Sequence, residues 1–441
     1  MDESEKLLTK TDWEMKRTLL LAFLALIAIV ADAKQKIAQK PRVLICTDIG
    51  GTDPDDNQSL THLLMYNDQF DLEGLISSPS FGDGHKGEIL RMIDVYRQDL
   101  PQLRRHIKGL MSPKSLRRLV KQGRMSEVPP CGYGEPTEGS EWIVRQARRP
   151  DKRPLYILVW GCLEDVAQAL HDAPDIATRL RIHWIGGPNK KWGVNSYTYI
   201  VEHFPDLWMI ENNTTYRGFI YDSKNHDQWN TGFYDRFICN TGHLGRNFAD
   251  YYKGNPKLGD TPSLLYMMNG DPSQPERQSW AGRFVRCQRT PRTVFYGTTT
   301  TRDTAQICSI IEWQLTGPNR PDIAPDSACL ILDIQRQQWK GYYQGNGHYV
   351  VRHSTYYIGT LSYSITSTVD GFAPISGEIT IVNTWNTAPH ATDYLVGRNW
   401  WTDSYAPADY WHGYAGAQTQ RIVREEIMRD WAERWGWLKS P

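Results

Sequence analysis

A short apolar strand that runs straight into a crowd of carboxylates constrains this chain more than any other feature. The stretch Arg42-Val-Leu-Ile-Cys-Thr-Asp48-Ile-Gly-Gly51-Thr-Asp53-Pro-Asp55-Asp56-Asn57 puts four Asp within nine positions, directly after Val43, Leu44 and Ile45. Those three residues have the make-up of a strand buried on both faces. Gly50 and Gly51 then turn the chain. In an open α/β sheet, ligands bind beyond the carboxyl ends of the strands. Negative charge this dense is costly unless protons are shared or a cation sits among the oxygens. Oxygen ligands suit a hard ion, so Ca²⁺ or Mg²⁺ is expected.

The surrounding pattern predicts the fold class as α/β. Strand 42–47 precedes a helix near 58–66, where Leu60, Leu63 and Leu64 share a face, and strand 72–77 precedes a helix near 87–98. Leu155 to Trp160 turns at Gly161 into helix 163–172, and two further strands end in Gly186-Gly187 and in Glu211. Such alternation makes a mostly parallel open sheet with helices on both faces. Near 326 the texture changes to short β-branched and aromatic runs separated by Gly, Asn and Asp, the pattern of a small C-terminal β-sandwich. The expected divisions are an α/β domain over 41–325, an Ig-like module over 326–388, and a loop and helix over 389–441 that pack back on the α/β domain. The apolar stripe Ile422, Ile427, Trp431 and Trp435 marks that helix, and Asn399 to Asp403 reads as a loop that packs on it or walls the site.

The one strongly apolar run, Thr18 to Ala33, follows Lys16-Arg17 and ends in Ala31-Asp32-Ala33. This reads as a signal peptide over 1–33, with translation starting at Met15, and predicts a periplasmic or secreted protein. An uncleaved anchor is the competing reading; after cleavage no membrane association is expected. Formal charge is zero, which gives no footprint for nucleic acid. The seven Cys form no Cys-x-x-Cys or Cys/His spacing, which argues against zinc. The 17 Trp suit a protein that stacks rings on sugars, and equally a core rich in aromatics.

The loop Thr47-Asp48-Ile-Gly-Gly-Thr-Asp53-Pro-Asp55-Asp56 resembles the Asp-rich motif of nucleoside hydrolases, and is most similar to the nucleoside-hydrolase-like domain of a secreted family named for cellulose binding. Further matches follow in order: Leu158-Val-Trp-Gly161-Cys-Leu-Glu164, Ile185-Gly-Gly through Gly193-Val-Asn195, Glu211-Asn-Asn213, and Gly259-Asp260-Thr-Pro through Asp271-Pro. The segment from Trp339 to Tyr363 is similar to small β-sandwich modules of secreted carbohydrate-active proteins. The resemblance implies a metal held by Asp48, Asp56, Asp260 and the Glu164 carbonyl. Asp48 would also be the general base, and Asp55, Asn195, Glu211 and Asn213 would contact the sugar. It implies a hydrolase of an N- or O-glycosidic bond in a ribose-like or small glycan substrate. Its alternative is a non-catalytic protein on the same fold that binds cellulose or an oligosaccharide. A polysaccharide partner and a homo-oligomer both remain open.

The chain departs from the family pattern at three points. Cys46 stands where the first Asp is expected, and two extra residues separate Gly51 from the Asp pair, which leaves the role of Asp53 open. Gly259 replaces the late His, so leaving-group protonation from that position is absent; His203 and His243 are the remaining candidate acids. A phosphatase with an Asp nucleophile also follows a strand with Thr-Asp-x-Gly-Gly-Thr, but it needs Asp where Cys46 stands.

Overall fold

Successive residues of β1 (Arg42–Thr47) point to opposite faces, and both faces meet apolar packing. Val43 and Ile45 join one core with Leu60, Leu63 and Met92, whereas Leu44 and Cys46 join another with Ile157, Val159 and Ile182. A strand sealed on both sides belongs to a parallel sheet covered by helices. The computed structural model describes residues 39–51, 53–78, 84–383 and 390–439. The leader expected at 1–33 lies outside the described residues. Among these, no helix is long and apolar enough to cross a membrane.

The strands after β1 are β2 (Asp71–Ser77), β3 (Val120–Gln122), β4 (Leu155–Val159), β5 (Leu180–Ile185), β6 (Trp208–Asn212) and β7 (Phe284–Arg286). Their order across the sheet is β3-β2-β1-β4-β5-β6, followed by Trp400–Asp403 and then β7. Every pair is parallel except the last. The chain moves outward from β1 to β3, then crosses back to lay β4 on the other side of β1. Such a reversal opens a crevice beyond the carboxyl ends of β1 and β4, where doubly wound sheets bind ligands.

One detail of the sheet differs from the sequence reading. Trp400–Asp403 is a strand rather than a loop: it pairs with β6 and buries both indoles, because the apolar rings fit the interior of a sheet better than its rim.

A second, mainly antiparallel region carries eight strands and a core of its own around Trp313, Leu332, Tyr343, Val351 and Ile365. It contains the hairpin-linked strands from Ala328 to His353, with Gly359–Ser367 and Ile375–Val382 beside them. It also takes Arg292–Phe295, Thr304–Gln306 and Ile310–Thr316, which precede the change of texture at 326. The first two are short and pair in parallel, so no hairpin turn links them to their partners and no turn signal announces them. The helix Arg424–Gly436 returns to the first core, where Ile427, Trp431 and Trp435 are buried; Ile422 at the start of the stripe stays exposed.

Candidate functional site

Asp48 leaves β1 where Gly161, just past β4, comes closest: a Cβ on Gly161 would stand 2.8 Å from the Asp48 Cβ. The neighbouring strand exit therefore needs a residue without a side chain. The helix Asp55–Tyr66 starts a few residues later and buries all twelve of its positions. Asp55 and Asp56 occupy its first turn, where unpaired backbone N–H groups favour negative charge. The same helix also fixes the approach to Asp260. Gln58 accepts from Leu258 N at 3.0 Å and donates to the Asn255 carbonyl at 2.8 Å, while Thr261 donates to Ser59 at 2.9 Å. Two segments 200 residues apart thus meet through a side-chain clamp.

Carboxylate oxygens of Asp55, Asp56 and Asp260 all lie within 4.8 Å of one another, and the three residues are buried. Thr47 donates its hydroxyl to Asp56, and Asp48 is in hydrogen-bond contact with it. Asp260 Oδ2 is buried and has no hydrogen-bond partner. Burial, together with Asp53 and Asp48, pushes the Asp55 carboxyl up to about 8 against the opposing pull of Lys257. Burial raises Asp56 well above the carboxylate range, with Asp260 and Asp48 adding to it. Asp260 is raised in the same way, by burial and then by Asp55 and Asp48. Asp55, Asp56 and Asp260, buried acids that repel one another and keep an unpartnered oxygen, form a donor set suited to a hard divalent cation.

These residues line one cavity of about 220 Å³. Asp48, Asp53, Asp55, Asp56 and Asp260 form one side, with Lys257 paired to Asp53 and 3.3 Å from Asp55. Trp160, Tyr216, Arg217 and Tyr356 contribute the rest of the wall, together with Asn189. Tyr356 comes from the loop between two strands of the second sheet, so both regions build the cavity. Lys257, Asn189, Tyr216, Arg217 and Tyr356 escaped the sequence reading. Each stands in a loop or a 3-10 turn, without the periodicity that would single it out.

The other sequence-predicted residues lie elsewhere. Glu211 is 2% exposed and fully engaged: Lys190 pairs with it, Tyr197 donates at 3.0 Å, Trp400 Nε1 at 3.1 Å and Asn213 at 3.1 Å. Burial acts to raise its pKa, but the Lys190 ammonium and these donors bring it below the usual value. Asn213 accepts from Gly187 N at 3.2 Å, and Asn195 spans the Val128 carbonyl and Arg352. None of the three lines the cavity. Nor does Glu164, whose carboxyl faces a separate small pocket beside Gly193 and Asn195. His243 pairs with Asp99, and His203 bonds the Tyr199 carbonyl. Among the described residues no histidine lines the cavity. The seven cysteines are all free thiols.

No curated protein matches the chain. Among solved structures, a nucleoside hydrolase-related protein from Saccharophagus degradans, associated with carbohydrate metabolism, aligns at 18% identity and a TM-score of 0.48; the match covers 78% of this chain and 100% of that one. The inosine-uridine preferring nucleoside hydrolase from Bacillus anthracis aligns at 15% identity and a TM-score of 0.38, over 57% of this chain and 87% of that one. The model of the family described as cellulose-binding Sde182, nucleoside hydrolase-like domain, matches residues 42–284. That span exceeds half of the sequence and holds β1 through the first residue of β7 with every Asp of the cavity, so the chain belongs to this family.

Proposed function

We propose that the protein is an exported, Ca²⁺-dependent hydrolase of a glycosidic bond in a ribose-like or small glycan substrate. One observation carries the reading: Asp55, Asp56 and Asp260 converge within 4.8 Å in a cavity with room for a small ring, and one buried oxygen lacks a partner. Asp56 and Asp260 would hold the ion together with Asp55. When bound, Ca²⁺ polarises water and orients sugar hydroxyls. Asp48, beside Asp56 at the cavity edge, takes the proton from the attacking water at its carboxylate. Trp160, Tyr216 and Tyr356 pack on the apolar face of the ring and exclude solvent. Asn189 is fixed by bonds to the Trp160 and Ile185 carbonyls at 2.8 and 3.1 Å, which leaves its Oδ1 for a hydroxyl. The surrounding carboxylates stabilise positive charge that develops on the sugar as the bond breaks.

Calcium titration calorimetry on chelator-treated protein, combined with product analysis over a panel of nucleosides and aryl glycosides, tests this. Uptake of Ca²⁺ that Asp56→Asn abolishes, with product released by the wild type, is expected. A calcium-loaded wild type that releases nothing from the whole panel sinks the hydrolase reading.

A second reading, carbohydrate binding without turnover, is favoured by Gly259. A Cβ there would lie 2.2 Å from Asp55 Oδ2, so the position has no room for an acid side chain. Oligosaccharide affinity that is unchanged in Asp48→Asn, with no product from either protein, would favour it.

A further inference from the structure

The charges at the Asp end of the cavity have counterparts in kind: Lys257 faces Asp53 and Asp55, and Asp55, Asp56 and Asp260 make up the proposed cation site. Arg217 has none. It lines the same cavity, yet no carboxylate among the described residues forms an ion pair with it. Its side chain bonds only phenols, the Tyr414 hydroxyl at 3.3 Å and Tyr216. The guanidinium instead lies over two aromatic faces, 4.6 Å from the Tyr414 ring centre and 5.6 Å from that of Tyr356. Those rings are near parallel at 16°. A planar cation held by π faces keeps its N–H edges for a planar anion.

The backbone beneath Arg217 is also built for position. Asp403, buried at the end of the inserted strand, accepts from the N–H groups of Asn213, Thr214 and Thr215 and from the Thr215 hydroxyl at 2.7 Å. That carboxylate caps the 3-10 turn Thr215–Gly218, which carries Tyr216 and Arg217 into the cavity. Asn212 Oδ1 accepts from Tyr216 N at 2.9 Å and fixes the same turn from β6. A cation set this firmly loses little freedom when it pairs with a ligand.

We propose that the cavity takes a sugar bearing an anionic group, a carboxylate or a phosphate, which Arg217 receives while the Asp end holds the ring through the cation. The inference rests on the metal and sugar reading above and names the substrate class within it.

Matched pairs of ligands test it by calorimetry on the calcium-loaded full chain: ribose against ribose 5-phosphate, and glucose against glucuronate. The charged member of at least one pair is expected to bind about tenfold tighter than its neutral partner, since charge-assisted bidentate bonds are the strong ones. Which pair responds distinguishes phosphate from carboxylate. Arg217→Met is expected to collapse that ratio towards one, and Arg217→Lys to restore part of it. Equal affinities within both pairs overturn the inference and leave the metal and sugar reading standing. So does an Arg217→Met protein that loses both members in proportion along with thermal stability, because the arginine is then a brace between Tyr356 and Tyr414. Failure of every sugar to bind, with Ca²⁺ uptake insensitive to Asp56→Asn, overturns both.

Discussion

Two exits from the same sheet carry buried carboxylates and treat them in opposite ways. At β6, Glu211 is surrounded by an ammonium, a phenol, an indole and an amide, and its pKa falls. At β1, the acids face one another, keep an unpartnered oxygen and are pushed upward. Both match what a sequence suggests of a sugar-binding rim. The difference is that one cluster is complete within the protein and the other is not. Completeness, more than position at the carboxyl end of a strand, separates a structural acid from a functional one.

The largest effect expected from that contrast is on turnover. Asp48→Asn keeps the size of the side chain and removes the proposed base, so the rate on any substrate that the wild type cleaves should fall by about 10²–10⁴-fold. Circular dichroism and calcium uptake should stay close to wild type. A variant that retains a tenth of the rate would move the base elsewhere.

At β6 the loss is one of stability. Glu211→Ala leaves the Lys190 ammonium buried against the Cys308 carbonyl without its carboxylate. Breaking one partner out of a buried pair costs about 3–5 kcal/mol, read as a lower urea midpoint at an unchanged slope. Turnover of the protein that remains folded should be near normal if Glu211 only supports the turn that carries Asn189.

A pH measurement sharpens the same point on the helix that presents Asp55 and Asp56. His62 lies on it, stacked on Trp431 at 4.6 Å with neither ring nitrogen bonded, and burial lowers its pKa to about 3. The folded pKa is depressed below the unfolded value of about 6.5, so the folded state stays neutral while the unfolded chain takes up a proton. Stability is therefore lost as pH falls from 6.5 towards 3, by about 2 kcal/mol at pH 5 from this residue. His62→Phe keeps the stack and should shrink the difference in unfolding free energy between pH 7 and pH 5 by that amount. An unchanged difference would mean that the imidazole is solvated.

Much of the β1 exit was legible because its information is local. An apolar strand, a glycine turn and paired Asp in a first helical turn are all visible within sixteen residues, and Asp260 followed from matches in a fixed order. Lys257, Arg217 and Tyr356 were not legible, since their placement depends on Gln58 clamping the 255–258 segment, on Asp403 capping a turn, and on a second sheet closing over the cavity. Glu211 shows the converse. Its motif marked it for substrate, while the lysine that engages it stands on a 3-10 turn with no spacing to announce it. Trp400 and Trp401 read as a loop because a strand of only four residues shows too little alternation.

The smallest effect has the most informative sign. Asp260→Asn removes one charge from acids that repel one another, and its amide can donate to a neighbouring carboxylate. In the presence of chelator, burial and the charges of Asp55 and Asp48 raise the free energy of an ionised Asp260 in the folded state. The variant should then be more stable than wild type by about 1 kcal/mol in urea unfolding at neutral pH, because a buried unpartnered group is relieved. With Ca²⁺ at saturating concentration the order should reverse. Only the wild type gains the full linkage term, about 2.7 kcal/mol at one hundred times the dissociation constant. The equivalent neutral change at the other exit, Glu211→Gln, should be destabilising under both conditions, because no ion takes part there. If Asp260→Asn were destabilising with chelator and indifferent to Ca²⁺, the β1 acids would be as complete as those at β6, and the distinction between the two exits would fall with them.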